Sequence, residues 1–208
     1  MTACPLASVT VRRSAEQAER LAAAAFEVLA EQGFDGASLD DIAAAAGVTK
    51  GSLYWHFENK LDLMLAACRH YYRRWEAGVH AAIAGARTPA ERLRRALEFS
   101  VASCVADRRN RRFTTGIFMR MQHDAAIRSS WAQFYASVRE FYVGLVTAAQ
   151  AAGELPPGDA RRSVDLMLEV MEGLKVRASF EPGVADPLEQ ARTVESLYEM
   201  FQRSSNRR

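Results

Sequence analysis

Between Thr49 and His56 nearly every side chain could meet a nucleic acid. Lys50, Ser52, Tyr54 and His56 each carry a donor, Trp55 adds a large aromatic face, and Gly51 exposes backbone. Such donors suit phosphate oxygens and the acceptor groups that base pairs present in a major groove. At helical spacing, Leu53 and Phe57, four apart, point inward, leaving Lys50, Gly51, Tyr54 and Trp55 outward. Gly51 costs about 1 kcal/mol in a helix interior relative to alanine. Close approach of its backbone to a groove wall or a phosphate would offset that cost. Lys50 and Tyr54, with Thr49 or Ser52, are thus candidates for base contacts, and His56, Lys60 and Ser38 for phosphates. Trp55 could meet a thymine methyl or support Tyr54.

These residues need elements to hold them. Ser38 followed by Asp41 spells a capping box, with hydroxyl and carboxylate placed to satisfy free N–H groups at a helix start. Leu39, Ile42, Ala43 and Ala46 then recur on one helical face. Gly47 suits the left-handed turn that ends a helix, Val48 plugs the turn, and Thr49 caps the second helix. Asn59 and Asp62 open a third, with Lys60 in its first turn, where free N–H groups favour a phosphate. Two short helices across a glycine turn, the second of them polar and aromatic outside, make a helix-turn-helix that reads DNA.

The spacing Thr49, Gly51, Tyr54, Phe57, Lys60 resembles the signature of the TetR family of bacterial repressors, and the run from Leu53 to His56 is similar to its tetracycline-repressor branch. Phe26, Gly33, Phe34, Ile42 and Ala43 match the family's first two helices. The resemblance covers roughly residues 14–65, with only length and architecture agreeing beyond. One departure stands out. Some members carry an arginine early in the second helix that reads a guanine, whereas Asp40 and Asp41 stand there in this chain. That helix is therefore expected to support the reader and touch backbone through its cap.

The chain has 208 residues and a net charge of +2, enough length to bury a substantial core. Residues 1–60 carry five basic and eight acidic side chains, a net −3, so bulk attraction to DNA is excluded and a few placed contacts must do the work. No apolar run spans a bilayer and no secretory signal opens the chain. Cys4, Cys68 and Cys104 lack metal-like spacing, and the expected setting is a reducing cytoplasm. His56, His70, His80 and His123 form no metal motif, and no nucleotide loop or nucleophile elbow occurs. Neither enzyme activity nor a metal or cofactor is expected.

Strand signals are almost absent, so the fold class is all-α, with about nine helices. A flexible arm is expected over residues 1–13, with simple disorder favoured over DNA contacts from Arg12 and Arg13, and a helix-turn-helix domain over residues 14–58 whose first helix opens at Ser14 and ends near Gly33. A larger helical domain for effector binding and dimerisation follows over residues 59–208. Its helices start at Asn59, Thr88-Pro89, Phe113, Ala125, Asp159 and Asp186-Pro187, the proline sites being cap and first-turn signatures. The basic run over residues 108–112 is expected as a solvated loop.

The resemblance implies a small-molecule effector, largely apolar, lodged in the middle of the chain. Phe99, Phe113, Ile117, Phe118, Met121, Trp131, Phe134, Tyr135, Met167 and Met171 offer the adaptable apolar surface, and Arg120, His123, Tyr135 and Glu172 the polar groups. It also implies a homodimer seamed by the last two helices, through Leu166, Val170, Val194, Leu197 and Phe201. The expected function is a repressor that binds a palindromic operator in double-stranded DNA and is released by the effector. The rival reading is a helical protein-partner adaptor in which Tyr54 and Trp55 anchor a protein.

Overall fold

Gly33 breaks the first helix by adopting a backbone conformation that other residues avoid. In the computed structural model, which describes residues 5–203 with side chains from residue 14 onward, α1 runs Pro5–Gly36 and leaves helical geometry at Gly33 (φ 79°, ψ 169°). The start expected at Ser14 falls inside α1, because nothing between residues 6 and 13 interrupts a helix. The expected arm thus overlaps α1. Residues 1–4, Cys4 among them, and the side chains of Arg12 and Arg13 lie outside the described residues.

Three capped helices follow. Ser38, Thr49 and Asn59 accept the N–H groups of Asp41, Ser52 and Asp62, opening α2 (Leu39–Ala46), α3 (Lys50–His56) and α4 (Lys60–Ile83). Gly47, at φ 67°, closes α2 and donates its N–H back to that helix's last carbonyls. Thr88 opens α5 (Pro89–Ser100), which runs on into a π-helical segment, Val101–Ala106. Then come α6 (Arg108–Arg120), α7 (Ala125–Ala151), α8 (Ala160–Arg177), a 3₁₀ turn (Pro182–Ala185) and α9 (Pro187–Arg203). Among the described residues there is no strand, and the all-α reading holds.

The basic run over residues 108–112 is no solvated loop. Asp107 accepts the N–H of Asn110 and starts α6 there. Arg109 then reaches Glu27 of α1 at 3.2 Å, Arg112 reaches Glu31 at 3.3 Å, and Arg111 donates to the carbonyl of Val105. A cap and partners on a neighbouring helix outweigh the repulsion that would keep like charges in solvent.

Two hydrophobic cores result. One joins α1, α2 and α3 to the first half of α4, to α6 and to the start of α7, around Phe26, Ile42, Leu53, Tyr71 and Phe113. The other lies among α5, α7, α8, α9 and the end of α4. Phe134 and Tyr135 pack against both. Packing therefore runs unbroken past residue 58, and α4 and α6 complete the core of the N-terminal head.

Four of the residues proposed for an effector are core or outer wall instead. Phe113 and Ile117 are fully buried in the head core, where Phe113 lies 4.8 Å from Phe26 and 5.5 Å from Phe34 between ring centroids. Met121 packs at the edge of the same core. Phe99 stacks over Gly78, where a Cβ would stand 2.3 Å from its ring, and faces an outer cleft. Helical spacing identified these side chains as apolar but could not say which core they enter. The same holds for the seam: Val194, Leu197 and Phe201 are buried in the second core of their own chain. The single apolar stripe of α9 is spent closing that core, which leaves Leu166 (40% exposed) and Val170 (38%) as the open pair.

Candidate nucleic-acid interface and effector cavity

Leu53 is the side chain that seats α3: it is buried in the head core while its neighbours stay outside. Trp55 is 86% exposed and Tyr54 52%, which is unusual for large aromatic groups in a folded chain. Gly51 is exposed, and a Cβ there would meet nothing nearer than Thr49 Oγ1 at 3.9 Å. Among the described residues nothing requires glycine at that position. Thr49 is exposed and Ser52 and His56 are partly so. Thr49 Oγ1 accepts from Ser52 N at 3.2 Å, leaving the hydroxyl proton to donate elsewhere. Trp55 and His56 meet edge-on at 6.5 Å.

The acidic departure on α2 has two separate uses. Asp41 completes the capping box: Ser38 Oγ accepts from its N–H at 3.1 Å, and its carboxylate lies 3.0 Å from Ser38 N and 2.5 Å from Ser38 Oγ. That hydroxyl is committed to the cap, so Ser38 offers a phosphate less than its sequence position suggests. The hydrogen bonds with Ser38 also hold the Asp41 carboxyl below its ordinary pKa. Asp40 instead takes Lys50 Nζ at 2.9 Å. The bond raises the Lys50 pKa and aims the ammonium back along the head. Both groups are solvent-exposed, where such pairs are weak and yield readily to a phosphate. Ser38→Ala should lower stability by about 0.5–2 kcal/mol, seen as a lower denaturant midpoint; an unchanged midpoint would show the cap to be idle.

The net negative charge of the head also resolves in space. Glu19 pairs with His70 at 2.6 Å and with Arg73, Glu27 with Arg109, Glu31 with Arg112, and Asp35 with Arg120. These acids lie on α1 and their partners on α4 and α6, so each is paired within the head with a residue outside α3.

A second site lies in the body. A small cavity of about 40 Å³ is lined by Trp75, Trp131, Phe134, Tyr135, Met167 and Met171, among others. Five of these, all but Trp75, were expected from the sequence. Phe118 stands just behind, edge-on to Trp131 at 5.4 Å. Glu172 lines the cavity as expected, whereas Arg120 and His123 do not. Arg120 instead reaches Asp35 and Asp124.

Sequence reasoning missed Lys175. It is 4% exposed, its Nζ lies 2.7 Å from Glu172 Oε1, and it sits over the rings of Phe118 (5.1 Å) and Trp131 (5.6 Å). The signal was present: Lys175 continues the Met167, Met171 stripe at four-residue spacing, and a lysine inside an apolar stripe requires a partner. Cys104 also lines the cavity, and burial raises its pKa; burial pushes the Cys68 thiol up to about 12. Both stay protonated at neutral pH, which makes them poor redox sensors. Among the described residues there is no cluster fit for a metal and no helix long and apolar enough to cross a membrane.

Comparison with known proteins agrees with this arrangement. Residues 21–67 match the model for bacterial regulatory proteins of the tetR family, and residues 89–202 match that for the C-terminal part of BetI-type transcriptional repressors. The HTH-type transcriptional regulator SrpR of Pseudomonas putida is 37% identical over 98 residues, covering 40% of this chain and 46% of SrpR, so that match spans under half of the relative. The HTH-type transcriptional repressor BepR of Brucella suis is 27% identical over 169 residues, 79% of this chain and 81% of BepR. A transcriptional regulator from Saccharomonospora viridis, solved with choline, superposes with a TM-score of 0.78 at 18% identity over 93% of this chain and all of that one. With a capped helix-turn-helix at one end and a matching helical body at the other, this chain belongs to the TetR family of bacterial transcriptional regulators.

Proposed function

We propose that the chain is a homodimeric repressor that binds a palindromic operator through α3 and is released by a small molecule entering the body. The observation that carries this reading is the outer face of α3, where two exposed aromatic rings, a lysine and an unconstrained glycine stand on a helix seated in the head core by Leu53. Lys50, Tyr54 and Thr49 or Ser52 would meet base edges. His56, Lys60 and the Gly51 backbone would hold phosphates, with Ser38 in a lesser role. Two such helices must lie about one helical turn apart, on the order of 34–36 Å, to enter successive major grooves.

Leu166 and Val170 support pairing through α8. They lie on one exposed face with Gly173, whose surroundings are open. The body cavity supports effector release, because Tyr71 and Trp75 of α4 line it while Lys60, at the start of the same helix, lies four residues beyond α3. Expansion of the cavity would tilt α4 and change the separation of the two readers. Coupling of this kind is typically about 1–3 kcal/mol, or 5–150-fold in affinity. The complex of the Saccharomonospora relative with choline supports a ligand in the body without naming one for this chain.

Selection of bound duplexes from a random DNA pool tests the reading. It should yield an inverted repeat with half-sites one turn apart, bound more weakly as salt rises. Leu166→Glu combined with Val170→Glu should sediment as a monomer and lose that affinity. Recovery of no sequence at low salt would overturn DNA reading and leave the adaptor alternative; a dimer in the double variant would move the seam elsewhere.

A further inference from the structure

Glu172 and Lys175 form a mutually neutralising pair in the aromatic cavity, and they are not equally satisfied. Lys175 Nζ has Glu172 Oε1 at 2.7 Å and two ring faces. The second carboxylate oxygen, Glu172 Oε2, is buried and has no hydrogen-bond partner among the described residues. A buried acceptor left unmatched is costly, and more so when charged. Tyr135 stands beside this carboxylate: after burial itself, the Glu172 charge and a side-chain interaction with Glu172 raise its pKa, yet no donor among the described residues lies within hydrogen-bonding geometry of Oε2.

The resident pair also restricts what a ligand can carry. A cation near Oε2 would stand beside the Lys175 ammonium, and an anion near Lys175 beside the Glu172 carboxylate. In a low-dielectric cavity like charges repel strongly. What remains is a neutral group that donates a hydrogen bond, on a body that suits Trp75, Trp131, Phe134 and two methionines.

The 40 Å³ cavity has room for little more than a water, but a far larger space adjoins it. A cleft of about 570 Å³ between α4 and α7 shares Trp75 and Phe134 with the cavity as a common wall. Those rings meet edge-on at 5.6 Å between the two spaces, so a ligand passing from cleft to cavity would have to turn one of them. Their combined volume falls in the range of about 300–1,000 Å³ typical of small-molecule sites. The cleft rim carries Ser129, Ser130, Gln133 and Ser137.

We propose that the effector site takes a neutral aromatic alcohol, which enters through the α4–α7 cleft past Trp75 and Phe134 and donates its hydroxyl to Glu172 Oε2. This deepens the effector part of the proposed function and rests on it. The test uses the unmodified full-length chain and four matched probes: 2-naphthol, 2-methoxynaphthalene, 2-naphthoate and 2-(aminomethyl)naphthalene. Binding is read from quenching of the tryptophans, and release from a selected operator duplex by anisotropy.

The expected result is that 2-naphthol binds about ten-fold or more tighter than the methyl ether, the fold-change of one hydrogen bond to a charged acceptor, and releases the duplex. The two charged probes should bind more weakly than 2-naphthol. Glu172→Gln should shrink the naphthol-to-ether ratio, and since the probe series is run on the unmodified chain, a misfolded variant leaves the proposal exposed to refutation. Tightest binding by the carboxylate would hand recognition to Lys175, and by the amine to an unneutralised Glu172; either overturns the proposal. Equal binding by naphthol and ether, or none by any probe, overturns it as well while operator binding leaves the regulatory reading standing. A chain that binds 2-naphthol with the stated preference but no duplex would fail the regulatory reading instead.

Discussion

Tyr54→Ala should lower operator affinity by roughly 10²–10⁴-fold while leaving the fold and the dimer intact. The size follows from one base-edge contact per half-site at about 1–3 kcal/mol each, lost twice in a symmetric complex. Stability is spared because the ring is half exposed in the free chain, and surface substitutions away from special features usually stay within about 0.5 kcal/mol. Leu53, one residue earlier, is the opposite case: it is buried in the head core and holds the helix in place. Anisotropy titration with the selected duplex reads the affinity, and sedimentation and thermal melting read the rest. An affinity within three-fold of the parent would remove Tyr54 from the reading face, and dissociation into monomers would break the division of labour between α3 and α8.

Phe113→Ala should cost about 3–5 kcal/mol, the usual penalty for emptying a buried phenylalanine site. For a chain of this length that is a fall in Tm of roughly 6–20 °C. Phe113 is fully enclosed, with Phe26, Phe34 and Tyr71 at 4.8, 5.5 and 5.6 Å between ring centroids. Those rings belong to α1 and α4, so the cavity would open where α6 grips the head. Thermal melting and denaturant titration decide the matter. A melt within 2 °C of the parent (about 1 kcal/mol or less), paired with altered affinity for the naphthol probe, would return Phe113 to the effector site.

The caps and turns of this protein follow from short stretches of sequence. Ser38 with Asp41, Gly47, Thr49, Asn59 and Thr88 act within four residues of themselves, through hydrogen bonds that local order dictates. The inward turn of Leu53 and the outward turn of Tyr54 follow from helical period in the same way. The outward face of α3 was therefore open to reading before any coordinates, and so was the all-helical class.

Partnerships between distant segments were not. Whether Phe113 enters the head core or the body cavity depends on which helix α6 lies against, and no periodicity reports that. Val194, Leu197 and Phe201 form a stripe that would suit a seam or a core equally, and only the placement of α5 and α9 turns it inward. The basic run from 108 becomes helix because Glu27 and Glu31 wait on α1, some eighty residues earlier. Charge shows the difference most plainly. The linear sum makes the head acidic, but Arg73, Arg109, Arg112 and Arg120, on α4 and α6, each neutralise one of four carboxylates of α1. Local hydrogen bonding is encoded in adjacent residues, whereas burial and ion pairing belong to contacts that exist only once the chain has closed on itself.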